Sequence, residues 1–316
     1  MTIELSINDQ YKLDILKTND FSASSEEIEA LKQLILDYNQ NPEVNDKNKV
    51  DEEYLSFDKL YLGSDNGKTG ERTLNLNIGT AYNCFECLKG FCNVQKQLRN
   101  KEFAKLNKQQ CYALSDNNRL LKLLTYDLIN YIVFNSLPLD ELIRQIKAEL
   151  EKNDYDYLRF NERGSFYGIE SFKRCDAIAE SVKDDVVAYS YTSNKDLFFD
   201  VWNSCCMTLN LSLGLEDVDS VQIQDYKQTI VVMDEYDAVR QILNDDRFIL
   251  CSEDCSNCSK CKNKDSTKIT VFILHGNGHN WETTDFMTPR EAKSIKRQAR
   301  YNNMAFLVSQ GLMASC

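Results

Sequence analysis

Four cysteines fall within eleven residues as Cys251-x3-Cys255-x2-Cys258-x2-Cys261, and Cys84, Cys87 and Cys92 fall within nine. Clustered thiols in a reducing compartment serve as metal ligands more often than as disulfides. Structural zinc sites usually take two Cys-x2-Cys pairs from separated segments, because a tetrahedral ion draws its ligands from opposite sides. Four thiolates on one short loop suit a bulkier iron–sulfur cubane, whose irons are spread in space and each take one sulfur. A [4Fe–4S] cluster is therefore the first expectation for Cys251, Cys255, Cys258 and Cys261, with zinc as the alternative.

Cys111 makes a fourth thiol within 28 residues of Cys84, and the Lys- and Asn-rich stretch from Gln95 to Gln110 would let it return to the others. Cys84, Cys87, Cys92 and Cys111 are thus candidate ligands of a second metal centre, the alternative being buried cysteines that act as small hydrophobes. Cys175 belongs to an apolar stripe with Phe172, Ala179 and Val182 and reads as core; Cys205, Cys206 and Cys316 stand outside both groups.

His275 and His279 are the two histidines, in His275-Gly276-Asn277-Gly278-His279 just past the last strand-like run. A parallel sheet places its sites at strand carboxyl ends, so His275 is a candidate cofactor ligand or proton donor, or else a hydrogen-bonded turn residue. Arg159, Glu162, Arg163 and Ser165 follow another short strand. Arg159 and Arg163 are candidate cofactor-binding residues, since an arginine pair grips a carboxylate or phosphate by paired hydrogen bonds. No Ser/His/Asp or Cys/His nucleophile, phosphate loop or paired acid and base carboxylates can be assigned, so a catalytic residue is not named.

These residues need a scaffold, and the chain offers strands alternating with helices. Strand-like runs stand at 73–78, 157–160, 186–191, 207–213, 229–233, 247–250 and 269–274. Between them lie helical spacings such as Leu120, Leu123, Leu124, Leu128 and Leu139, Leu142, Ile143, Ile146. The alternation predicts an α/β domain over 72–284 with a parallel sheet, as a partial or modified TIM-like barrel. Residues 1–71 read as an N-terminal extension with one amphipathic helix, opened by the capping box Ser24-x-x-Glu27 ahead of Ile28, Leu31, Ile35 and Tyr38. Residues 285–316 read as a C-terminal helix opened by Thr288-Pro289-x-Glu291, and Arg290, Lys293, Arg297 and Arg300 give it a basic stripe.

The whole chain has 316 residues and a net charge of −12, which excludes general attraction of its surface to nucleic acid or anionic lipid. The basic stripe is the local exception: a solvated face, or a contact for an acidic host protein or a nucleic acid. No apolar run approaches the roughly 18 residues of a membrane span, and the first ten residues lack a signal-like apolar stretch. The expectation is a cytoplasmic protein with no membrane partner.

Spaced motifs add a resemblance. Asn83-Cys84, Gly90-Phe91-Cys92-Asn93-Val94 and Cys111-Tyr112-Ala113-Leu114 follow the order of the C-P-S, G-L-C-x-V and C-Y-A-x-K motifs of phage and prophage proteins of the gene product 88 type. The stretches 158–168 (LRFNERGSFYG) and 188–192 (AYSYT) resemble that family's R-F-x-x-x-G-D-F and Y-A-Y-T-K strands. The Cys251 to Cys261 loop followed by Ile273-Leu274-His275-Gly276 resembles its closing Cys-rich loop and H-G strand.

The resemblance implies a metal or iron–sulfur protein with a barrel related to radical-SAM folds. If it is an enzyme, its chemistry would be radical or redox, on a small molecule or nucleic acid. Three departures stand out: Phe85 replaces the family's Pro, Ser165 replaces its Asp, and Cys87 is extra. A site of Cys84, Cys92 and Cys111 alone would leave one iron open to a chelating ligand such as S-adenosylmethionine. Cys251-x3-Cys255-x2-Cys258 also has the radical-SAM spacing, but Asn257 stands where an aromatic usually precedes the last cysteine. The reading from a different class is a non-catalytic, zinc-stabilised interaction module that uses the basic helix.

Overall fold

A computed structural model describes residues 5–64, 72–80, 120–214, 228–232, 247–251, 258, 260–266 and 269–273. The first described segment carries two helices where the apolar spacing predicts one: α1 (Ile7–Thr18) and α2 (Ser25–Gln40). Polar residues interleave Tyr11, Leu13 and Ile15, which blurs the periodicity of α1. Helix α3 (Leu121–Ser136) is buried along most of its length, and α4 (Leu139–Leu150) follows with Leu142 and Ile146 inward. Tyr11, Ile15, Leu31 and Ile35 share one apolar core with α3, α4 and the sheet, so the N-terminal segment is packed into that core.

Ser24 caps α2 as the sequence predicts, its Oγ accepting the Glu27 N–H at 3.1 Å. Glu27 reaches further back than a capping box requires. Its carboxylate accepts the N–H groups of Asp20, Phe21 and Ala23 at 2.9, 3.0 and 2.8 Å and the hydroxyl of Tyr131 on α3 at 3.0 Å. Phe21 and Ala23 have φ of 64° and 50°, a backbone region that side chains disfavour. One buried carboxylate thus holds a strained turn and ties it to α3.

Seven strands form one sheet: β1 (Thr73–Leu76), β2 (Tyr157–Phe160), β3 (Val187–Thr192), β4 (Thr208–Gly214), β5 (Gln228–Val232), β6 (Phe248–Leu250) and β7 (Ile269–Ile273). They lie in the order β1-β2-β3-β4-β5-β7-β6, and every ladder is parallel. Helices α5 (Ile169–Ser181) and α6 (Lys195–Val201) occupy the β2–β3 and β3–β4 connections. The α/β class and parallel sheet match the sequence expectation, and all seven strand-like runs become strands. The first five strands follow one another as barrel staves do. Among the described residues, however, no ladder joins β1 to β6, so TIM-like closure is absent there.

Strand alternation gives the sheet two unlike faces. Leu74, Leu76, Leu158, Phe160, Ala188, Leu209, Leu211, Ile230 and Val271 enter the apolar core with the helices. By register, the other face receives Thr73 and Asn75, Tyr157 and Arg159, Tyr189 and Tyr191, Thr208 and Asn210, then Thr229, Thr270 and Phe272. The edge at β1 is guarded by residues 60–63. Asn130 of α3 exchanges two bonds with the Tyr61 main chain at 2.7 and 2.8 Å, and Gly63 pairs with Asn75. Among the described residues no helix is long and apolar enough to cross a membrane.

Candidate functional site beneath the cysteine loop

The connection from β6 to β7 carries Cys251 to Cys261, and its described part lies on the polar sheet face. Cys251 extends the β6 ladder by one bond, its N–H donating to the Val271 carbonyl at 2.8 Å, and alternation puts it on the same face as Thr270. Asn210 Nδ2 donates to the Cys261 carbonyl at 3.0 Å, and Thr208 Oγ1 donates to the Lys262 carbonyl at 3.0 Å. Cys261 Sγ donates to Thr270 Oγ1 at 3.6 Å. Lys264 Nζ donates to the Cys205 carbonyl at 2.6 Å.

Lys262 is the pin of this arrangement. It is only 4% exposed, and its Nζ lies 3.5 Å from the centroid of the Tyr157 ring and 5.8 Å from that of Tyr189. A desolvated ammonium over an aromatic face gains about 2 kcal/mol. Tyr157, Tyr189, Tyr191 and Phe272 then run across the face as edge-to-face neighbours, with centroids 6.3, 6.2 and 6.1 Å apart. Burial, and after it the Cys261 sulfur, pushes the Tyr191 hydroxyl well above its ordinary range. Tyr157 is raised by burial first, then by Asp156, with Cys258 also close enough to contribute.

The two candidate arginines part company. Arg159 stays on the polar face, its guanidinium carbon 5.4 Å from the Tyr191 ring centroid. Arg163 turns toward the helices and makes a two-pronged pair with Asp127 of α3, Nε to Oδ2 at 2.9 Å and Nη2 to Oδ1 at 3.0 Å, with Glu162 at 3.2 Å from Nη1. Its engagement is internal, and its main-chain N–H donates to Asn77 Oδ1 at 3.0 Å. Asp127 was not foreseen in the sequence, since a lone Asp in a helical run carries no sign of its partner.

Three of the eight candidate ligand cysteines, Cys251, Cys258 and Cys261, are described; Cys84, Cys87, Cys92, Cys111 and Cys255 lie outside the described residues, as do His275, His279 and the basic helix. The described thiols have the soft chemistry a metal needs and share one face. Their arrangement is not a ligand set: among the described residues no three Cys, His, Asp or Glu side chains are gathered around a common point. Cys175 is fully buried in the core stripe, where burial pushes its thiol well above the usual range.

Further polar atoms at the sheet went unforeseen. Asn75 Oδ1, Asn161 Nδ2, Ser165 Oγ and Asn210 Oδ1 are buried without a hydrogen-bond partner. Such an atom costs about 1–3 kcal/mol, and native proteins keep few of them. A signal for two of these was present: Thr-Leu-Asn-Leu occurs both at 73–76 and at 208–211, and Asn in a Leu-alternating strand marks a face that is not core. No protein-family model, curated protein or solved structure matches the chain.

Proposed function

We propose that this chain is a metal-binding protein whose cysteine loop, Cys251 to Cys261, holds an iron–sulfur cluster over the polar face of the parallel sheet. The observation that carries the reading is the placement of the loop: four thiols in eleven residues, with the last fixed on that face by Asn210, Thr208 and Lys262. A cluster, when bound, would supply one-electron chemistry or an open iron for a chelating ligand. The chain's own residues do the positioning. Lys262 clamps the C-terminal arm of the loop between Tyr157 and Tyr189, and Asn210 fixes the Cys261 main chain. Cys251 and Cys258 would have to be drawn toward Cys261 around the metal, because the described thiols are not gathered.

The chain's working compartment in this proposal is the cytoplasm, where clustered thiols stay reduced. Kinship with the gene product 88 type, and a second centre at Cys84, Cys87, Cys92 and Cys111, belong to the same proposal. The test compares metal content of wild type and of Cys251→Ser and Cys258→Ser after anaerobic isolation. Loss of bound iron in either variant, with the circular dichroism spectrum unchanged, supports the reading. Iron retained at the wild-type level in both would overturn the assignment of this loop.

A further inference from the structure

Cys261 is anchored through its own main chain and through the residue that follows it. Asn210 Nδ2 holds the Cys261 carbonyl, Thr208 Oγ1 holds the Lys262 carbonyl, and the Lys262 side chain lies buried against the Tyr157 ring. The Cys261 sulfur stands 3.6 Å from Thr270 Oγ1. Thr270 is 3% exposed and sits in β7 between two paired neighbours, Thr229 of β5 and Ile249 of β6. A residue paired on both sides cannot shift without disturbing two ladders, so the fold itself sets the sulfur beside this hydroxyl.

In the metal-free chain the thiol donates and the hydroxyl accepts. A cysteine that binds a metal does so as the thiolate, which has no proton to give and becomes an acceptor. A threonine hydroxyl can do either, and rotation about its C–O bond turns the hydrogen toward the sulfur with no heavy atom moving. The neighbouring Thr229 hydroxyl is engaged elsewhere, donating to the Leu211 carbonyl at 3.4 Å. A donor on a ligand sulfur favours the state with more negative charge, and so raises the reduction potential of the centre.

We propose that Thr270 acts through Cys261 as the residue that tunes the cluster: its hydroxyl donates a hydrogen bond to the Cys261 ligand sulfur and raises the potential. This inference rests on the reading of the loop as an iron–sulfur site, and adds to it a residue that no cysteine spacing reveals. Reduction takes up one electron and breaks no bond. The hydroxyl keeps its proton in both states, and the added negative charge strengthens the bond it gives.

The test isolates the full chain without oxygen, measures iron per chain, and titrates the cluster with dithionite while the visible spectrum is followed. Thr270→Val removes the hydroxyl and keeps the shape of the side chain. It should load iron as the wild type does and shift the one-electron equilibrium about threefold to tenfold toward the oxidised form, a fall of about 28–59 mV at about 59 mV per decade. Thr270→Ser should restore the wild-type potential. Thr229→Val should leave it unchanged, which separates a bond to the sulfur from a general loss of polarity on this face. Thr270→Ala is the second variant should Thr270→Val fail to fold. A loaded variant that titrates at the wild-type potential would overturn this inference and leave the metal reading standing, whereas a wild-type chain without iron would overturn both. Iron lost from both folded variants would overturn it too, since Thr270 would then serve assembly of the site and not its potential.

Discussion

Asp127→Ala should be among the most damaging single substitutions in the described fold. The Asp127 side chain is 0% exposed and that of Arg163 is 9% exposed, and two hydrogen bonds of 2.9 and 3.0 Å join them. Charges taken from water are tolerated only when paired; Asp127→Ala leaves Arg163 the single-pronged Glu162 contact at 3.2 Å in place of the two-pronged pair, and breaking a buried pair typically costs about 3–5 kcal/mol. In a chain of this size each kcal/mol moves the thermal midpoint by roughly 2 °C, so a fall of roughly 6–10 °C is expected. The assay is thermal unfolding followed by circular dichroism for Asp127→Ala, Arg163→Met and the double variant. The double variant should lose less than the sum of the singles, by about 1–3 kcal/mol of coupling. Arg163→Lys should not restore stability, because an ammonium cannot match both carboxylate oxygens. A change below about 0.5 kcal/mol for Asp127→Ala would refute the reasoning and return Arg163 to the candidate ligand-binding residues.

Glu27→Ala should cost about 2–4 kcal/mol in urea unfolding, since it strips acceptors from three main-chain N–H groups and the Tyr131 hydroxyl at once; a surface-like loss of a few tenths would contradict the role of Glu27 in holding the turn to α3. Burial pushes the Tyr38 hydroxyl up to about 12 and raises Tyr11, Tyr131 and Tyr167 as well. Unfolded tyrosines ionise near about 10, so stability is full below that pH and falls as pH rises through the folded values; urea midpoints that stay flat above it would contradict this. In the native, metal-free chain Cys175 should resist alkylation while the partly exposed Cys251, Cys258 and Cys261 react, as mapped by peptide mass. Early labelling of Cys175 would contradict its place in the core.

The strands were legible because β-branched and aromatic runs alternate with helical spacings, and that pattern is set by local packing needs. Helix α1 was not, since Lys12 is buried among its apolar residues and breaks the periodic signal. Long-range pairings were equally silent. Arg163 and Ser165 sit in one turn and look alike from the sequence, yet Arg163 is claimed by a helix residue 36 positions earlier, whereas Ser165 is left with an unused hydroxyl. Lys262, one residue past a Cys-x2-Cys, reads as an ordinary surface lysine until Tyr157 and Tyr189 are seen to bracket it. The spacing of thiols announces metal chemistry, but which face of the sheet receives the loop depends on β6 and β7 exchanging places at the sheet edge.

The most direct measurement is iron and acid-labile sulfide per chain in protein isolated without oxygen. A brown protein carrying about four iron and four sulfide per cluster is the expected result, and about twice that if Cys84, Cys87, Cys92 and Cys111 hold a second centre. A colourless protein with stoichiometric zinc, or one with neither metal, would contradict the cluster.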